Sequence, residues 1–369
     1  MSTHIGWQQY NPVRIVQGEG LLERISEWVP PGEVLLVTTQ GFTRRGITQK
    51  MIELLPGPVI VYDQVIPNPD LDLLDKASDI LRKSRPKSII ALGGGSVIDA
   101  GKAFSLSLAI ESTGFLKSVL CDENIGMSNT SLHLVAIPTT AGTGAEVTPF
   151  ATIWGHKNKR KMSLSGEILF PKVAVLDPLL HLTLPRQETV YSALDCISHA
   201  LETIWNKNRT PISEALAIKA LTYSLSALPR IIYHPDNITA RQEMMTASIM
   251  AGYAISQNRT ALAHSISYPL TLNFSVPHGL AVSFTLIAII HFLRRNNFFK
   301  ANDTFNKQIQ ELEEMLHSFN LNSDIIRYVS FDQAVEKIPD MFTPERLDNF
   351  VCTIGPEDIY SILKDSFKC

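Results

Sequence analysis

The chain has 369 residues, 45% of them hydrophobic, and a formal net charge of −3. That is apolar material for roughly two domains of ~100–200 residues each, and the faintly acidic balance offers no basic surface for nucleic acid or an anionic membrane. Cys121, Cys196, Cys352 and Cys369 form no CxxC pair, and the opening MSTHIGWQQYNP has no basic start followed by an apolar run, so a reduced, cytoplasmic chain is expected.

In chain order, the first half alternates short apolar runs with helical patterns. VLLVTT (Val34 to Thr39), VIVYD (Val59 to Asp63), SIIALGG (Ser88 to Gly94), HLVAIPTT (His133 to Thr140) and KVAVLDP (Lys172 to Pro178) read as buried strands ending in Gly, Pro, Thr or Asp. Between the second and third, DLDLLDKASDILRKS spaces Leu71, Leu74, Ala77, Ile80 and Leu81 as on a helix. Strand, helix, strand in series predicts a parallel sheet covered on both faces. Ligands of such sheets gather at the carboxyl ends of the strands.

Two of those ends are unusual. ALGGGSVIDAGKAFSL follows a strand and opens a helix, so Gly93, Gly94 and Gly95 let backbone approach a ligand and the helix start offers N–H groups to an anion. A tight strand-to-helix turn would use the same glycines. The loop is neither a Walker A motif, since Gly95 to Gly101-Lys102 is one residue too long, nor G-x-G-x-x-G, since Ile98 stands in place of the last glycine. The second end, IPTTAGTGAEVTPF, adds hydroxyls at Thr139, Thr140 and Thr143. Two such loops together favour a nucleotide site.

From about Pro185 the pattern turns helical: ETVYSALDCISHALETIWN, PISEALAIKALTYSLSALPRII, ARQEMMTASIMAGYAIS and GLAVSFTLIAIIHFLRR. A boundary near residue 180 follows, with an α/β domain over 1–180 and an all-helical domain over 181–369. LAVSFTLIAIIHFL is too short and too polar for a membrane span and reads as one buried helix. In ALDCISHALE, Asp195 and His199 share a helix face. Either a structural Asp–His hydrogen bond or a metal site explains them alone. With His264 and His278 they complete one carboxylate and three imidazoles, a set suited to Fe(II) or Zn(II). No second acidic ligand is evident nearby, which would keep a position open for substrate.

GGGSVIDAGKA, IPTTAGTGAEVTPFA, LDP, DCISHALE and PHGLA resemble, in order and spacing, the iron-containing (group III) alcohol dehydrogenases. The likeness runs from NPVRIVQGEG near the start to TIGPEDIYSIL near the end. It implies a dinucleotide-binding α/β domain followed by an all-α metal-binding domain, as in dehydroquinate synthase. By this resemblance Asp195, His199, His264 and His278 match the metal ligands. Gly94, Gly95, Ser96, Asp99, Thr139, Thr140, Thr143 and Lys161 match the cofactor site, with Lys161 near the ribose, and Thr39 and Asn68 are further candidate cofactor-binding residues. The implied chemistry is interconversion of a small aldehyde and its primary alcohol using NADH or NADPH. A homodimer is the expected assembly.

Three departures from the family pattern stand out. Many members carry a histidine where Tyr268 stands, four residues after His264, so Tyr268 becomes a candidate catalytic group with Lys161. Many end the VTD motif in an Asp facing the adenosine ribose. Here VTT ends in Thr39, with Arg44 and Arg45 just beyond, which favours the 2′-phosphate of NADPH. The third is the basic run HKNKRKMSLSG, which reads as a surface hairpin with part of it facing an anionic substrate. EVTPFATIW, KRKMSL and HSISYPLT together are similar to a subgroup that includes phosphonoacetaldehyde reductases. The competing expectations are a lyase or cyclase of the dehydroquinate synthase type, which shares the architecture, or a generic short-chain alcohol dehydrogenase.

Overall fold

The computed structural model describes residues 6–122, 126–157, 159–299 and 303–368. Short β-branched runs become six parallel strands: β1 (Arg14–Gln17), β2 (Val34–Val37), β3 (Val59–Tyr62), β4 (Ser88–Gly93), β5 (His133–Pro138) and β8 (Val173–Leu176). A hairpin of β6 (Phe150–Gly155) and β7 (Arg160–Ser165) stands apart from this sheet. The sheet order is β1-β8-β5-β4-β2-β3. Its strands are apolar without alternation because both faces are covered. Leu35, Val37, Ile89, Ala91, Leu134 and Ala136 enter one core cluster, whereas Leu36, Ile90, Leu92, Val135, Ile137 and Val175 enter the other.

The helices of this unit are α1 (Gln40–Arg44), α2 (Ile47–Leu54), α3 (Leu71–Leu81), α4 (Gly95–Ser107) and α5 (Phe115–Cys121). Leu71 and Leu74 of α3, Phe104 of α4 and Leu116 of α5 pack on the first face. Phe42 of α1 and Met51 of α2 pack on the other. Within the predicted helical stripe Ile80 is the exception: it faces solvent, 61% exposed. Strand β1 has no counterpart among the predicted strands. It is a four-residue edge strand whose ends are exposed, so its sequence lacks the apolar run of a buried strand.

The remaining helices form a second unit: α6 (Arg186–Ile204), α7 (Pro211–Tyr233), α8 (Ile238–Asn258), α9 (Leu262–Phe274), α10 (His278–Ser283), α11 (Leu286–Arg295), α12 (Asp303–Ser318), α13 (Leu321–Ile325), α14 (Phe331–Val335), α15 (Pro344–Leu347) and α16 (Pro356–Ser366). The single helix expected over 279–295 is two, broken at Phe284-Thr285. Among the described residues α7 is long and apolar enough to cross a membrane by length and composition alone. It packs against α6 and α8. The pattern of the sequence puts the domain boundary at 180 and keeps the first residues with the α/β domain. By packing, the chain divides between Leu184 and Pro185, and the stretch up to Tyr10 goes with the helical unit. Tyr10 there exchanges backbone hydrogen bonds with the Gln257 side chain of α8.

Candidate metal centre and cofactor loops

Helix α6 is buried continuously from Ala193 to Ile204, so its polar residues must find partners inside. Asp195, His199 and Glu202 stand at i, i+4 and i+7, one face of the helix. Helix α9 contributes His264, and α10 begins at His278. Gly279 makes that start possible: a Cβ there would run into the Tyr191 carbonyl of α6. The ligand-type atoms of Asp195, His199 and His264 all lie within 4.8 Å of one another. The Nε2 atoms of His199 and His264 are each 3.6 Å from Asp195 Oδ1, and His278 Nε2 is 3.8 Å from it.

Protonation decides what this cluster is for. Glu202 accepts from the His264 ring at Nδ1 (2.5 Å) and from the His264 backbone N–H (3.2 Å). A carboxylate only accepts, so the ring proton sits on Nδ1 and Nε2 presents a lone pair. That lone pair faces Asp195 Oδ1, a second acceptor, and neither atom has a hydrogen-bond partner though both are buried. Two buried acceptors pointed at each other require a cation or a further proton between them. The charges agree. Burial would raise Asp195, yet His199, His264 and His278 hold it well below the usual carboxylate range. Burial would lower the His264 ring, yet Glu202 and Asp195 push it up to about 10. The pocket draws positive charge inward, and one carboxylate with three imidazoles fits Fe(II) or Zn(II).

Tyr268, one turn after His264, lies against this set. Its ring is 6.3 Å from that of His278, stacked at 10°, and 6.1 Å from that of His264. The guanidinium carbon of Arg346, from α15, lies 6.0 Å from the Tyr268 ring centre.

In the α/β unit Thr39, Gly94, Gly95, Ser96, Thr139, Thr140 and Thr143 follow the carboxyl ends of β2, β4 and β5, which are neighbours in the sheet, while Asn68 comes after β3 and Asp99 lies within α4. Thr39 is the N-cap residue of α1. Gly94 precedes α4 and offers its first-turn N–H groups no side-chain cap. At Gly95 a Cβ would meet Thr143 Cγ2 at 2.7 Å, so any larger residue there would have to displace the Thr143 side chain. The Thr139 N–H donates to the Gly93 carbonyl (3.0 Å), which binds the two loops together. Asn68, with φ of 58°, donates its N–H to Ser96 Oγ (3.2 Å). Uncapped N–H groups beside a loop without side-chain bulk fit the pyrophosphate of a dinucleotide.

Asp99 is half-buried, accepts the Thr152 N–H (2.9 Å), and is pushed up to about 6 by burial, against the pull of Lys102 and Lys161. Lys161 is carried on β7, opposite Trp154. Lys102, the lysine in the Walker-like position, points inward: it is fully buried and donates to the carbonyls of Thr148 (2.8 Å) and Phe150 (2.7 Å). Burial lowers it to about 8. The basic run forms the surface hairpin expected of it. Lys157 pairs with Asp72 at 2.6 Å, and Lys157, Lys159 and Arg160 are exposed, while Asn158 lies outside the described residues.

Known proteins match along nearly the same span. The family model for iron-containing alcohol dehydrogenase matches residues 12–178, and that for the C-terminal part of the Fe-containing alcohol dehydrogenase family matches 189–350. This chain belongs to the iron-containing alcohol dehydrogenase family. Among relatives of this dehydrogenase, choline dehydrogenase of Bacillus subtilis (strain 168) is 30% identical, over 74% of this chain and 69% of that protein. Phosphonoacetaldehyde reductase of Streptomyces viridochromogenes is 36% identical, over 60% of this chain and 56% of that protein. A solved structure of sulfoacetaldehyde reductase from Bifidobacterium kashiwanohense in complex with NAD+ superposes with a TM-score of 0.86 at 27% identity, covering 98% of each chain. The protein is thus a nicotinamide- and metal-dependent oxidoreductase acting on alcohols and aldehydes.

Two groups escape a reading of the sequence. Glu202 is a second buried acid, but it serves the outer nitrogen of His264 and leaves the inner set with one carboxylate. Its signal is present, three residues after His199 in an apolar helix. Arg346 has none, since nothing around TPERLDNF marks a site.

Proposed function

We propose that this dehydrogenase reduces a small aldehyde bearing an anionic group, with phosphonoacetaldehyde to 2-hydroxyethylphosphonate as the favoured reaction. One observation carries the metal-assisted reading: two buried acceptors, Asp195 Oδ1 and His264 Nε2, face each other while Glu202 fixes the His264 tautomer. Asp195, His199, His264 and His278 would hold the metal. Thr39, Asn68, Gly94, Gly95, Ser96, Asp99, Thr139, Thr140, Thr143 and Lys161 would hold the dinucleotide. When bound, these groups polarise the carbonyl and supply a hydride. Tyr268, a hydroxyl donor stacked on His278 and one turn after His264, would give its phenolic proton to the nascent alkoxide. The absence of an acid at Thr39 favours NADPH. We further place the protein in the cytoplasm, as a homodimer.

The test is a panel of phosphonoacetaldehyde, sulfoacetaldehyde, propanal and betaine aldehyde, each assayed with NADH and NADPH. The highest kcat/KM is expected for an anionic aldehyde with NADPH. A preference for propanal or betaine aldehyde would overturn the substrate class. Cofactor that is not consumed in proportion to product would point to a cyclase that only borrows the hydride.

A further inference from the structure

We propose that Arg346 determines substrate class, its guanidinium receiving the tetrahedral anionic end of a two-carbon aldehyde. This rests on the reading that the substrate is an anionic aldehyde. The placement comes first. The Arg346 guanidinium lies over the Tyr268 ring, 6.0 Å from its centre, and Tyr268 itself stacks on His278. In phosphonoacetaldehyde or its sulfonate counterpart a single methylene joins the carbonyl carbon to the phosphorus or sulfur. A substrate presenting its carbonyl at the histidine set would project its charge about one side chain away.

Charge is the second argument. Among the described residues no carboxylate lies within 4.0 Å of the Arg346 guanidinium. Elsewhere in the helical unit, by contrast, Arg230 pairs with Glu243 and Arg294 with Glu313. A half-buried cation beside a pocket built to hold another cation is electrostatically unfavourable unless an anion joins them. The guanidinium fork suits two oxygens of a phosphonate or sulfonate, which an ammonium does not match. The other cationic candidate, the hairpin turn, is spent on solvent and Asp72.

Third, the segment carrying Arg346 is fastened on both sides. Before it, the Ser265 hydroxyl of α9 donates to the Met341 carbonyl (2.5 Å). After it, the Asn349 side chain donates to the Thr260 carbonyl (2.9 Å), and the Lys207 N–H donates to the Asn349 carbonyl (2.7 Å). The Val351 N–H reaches the Trp205 carbonyl (3.1 Å). These contacts tie α15 to the start of α9 and the end of α6, the two helices that carry Asp195, His199 and His264. Such preorganisation is what a binding cation needs and a solvated surface arginine lacks.

The test compares wild type, Arg346→Gln and Arg346→Lys as metal-loaded enzymes. KM and kcat are measured for phosphonoacetaldehyde, sulfoacetaldehyde and propanal, and 2-hydroxyethylphosphonate binding is titrated by calorimetry. Loss of charge-assisted hydrogen bonds should cut the selectivity of Arg346→Gln for both anionic aldehydes over propanal by ~10–100-fold, mainly through KM. Binding of 2-hydroxyethylphosphonate should weaken alike, with metal content and Tm unchanged. Arg346→Lys should recover part of the loss. If wild type prefers the anionic aldehydes and Arg346→Gln keeps that preference, the residue assignment falls alone. If wild type shows no such preference, the substrate class falls and this role with it.

Discussion

At the scale of single residues, the site shows what a sequence can carry. Asp195, His199, His264 and His278 are recognisable because three imidazoles and an acid in apolar surroundings need a common purpose, and they do converge. Glu202 and Arg346 are not, since a carboxylate at an outer nitrogen and a cation over an aromatic ring are defined only by the packing of α6, α9 and α15. Glu202 gives a prediction of its own. Glu202→Gln leaves the volume but weakens the hold on Nδ1, so metal affinity should fall ~10–100-fold, the usual effect of losing such a partner. Titration with a competing chelator measures it, and an unchanged affinity would remove Glu202 from the site. For Tyr268, Tyr268→Phe should lower kcat for aldehyde reduction by ~10-fold or more while metal content holds, given acid–base contributions of ~10²–10⁴. A Phe variant with wild-type kcat across neutral pH would show that the hydroxyl takes no part.

At the scale of elements, strands buried on both faces announce themselves, because a parallel sheet needs uninterrupted apolar runs. Edge strand β1 does not, with two of its four residues exposed. The break between α10 and α11 is hidden for the opposite reason: the flanking residues are mostly apolar and buried, so no change of pattern marks Phe284-Thr285. The α6–α10 contact shows how an element boundary becomes chemistry. In Gly279→Ala the new methyl would meet α6 backbone rather than a side chain that can turn aside. Helix α10 must shift, and His278 with it. Overpacking of this kind costs ~1–3 kcal/mol. A lower Tm together with less than one metal per chain is expected, and full occupancy at wild-type Tm would contradict the account.

At the scale of the whole molecule, burial of Glu146 links stability to pH. Burial pushes its carboxyl up to about 7, above the usual value for an exposed glutamate. The folded chain therefore keeps a proton that the unfolded chain has released, and stability drains as pH rises from ~4.5 to about 7, by at most on the order of 3 kcal/mol. Glu146→Gln cannot lose that proton. Its Tm relative to wild type should climb between pH 5 and pH 8, and a difference that stays constant with pH would refute the linkage. Connectivity has a consequence of another kind. The α/β unit is one unbroken stretch, Asn11–Leu184, whereas the helical unit takes in residues on both sides of it. During synthesis the sheet has all its strands before any metal-site residue leaves the ribosome, and units that emerge first generally fold first. The stretch ending at Tyr10 must wait for Gln257 to be made before its hydrogen bonds form. The centre that binds the metal is thus assembled late, after a nucleotide-binding half that is already complete.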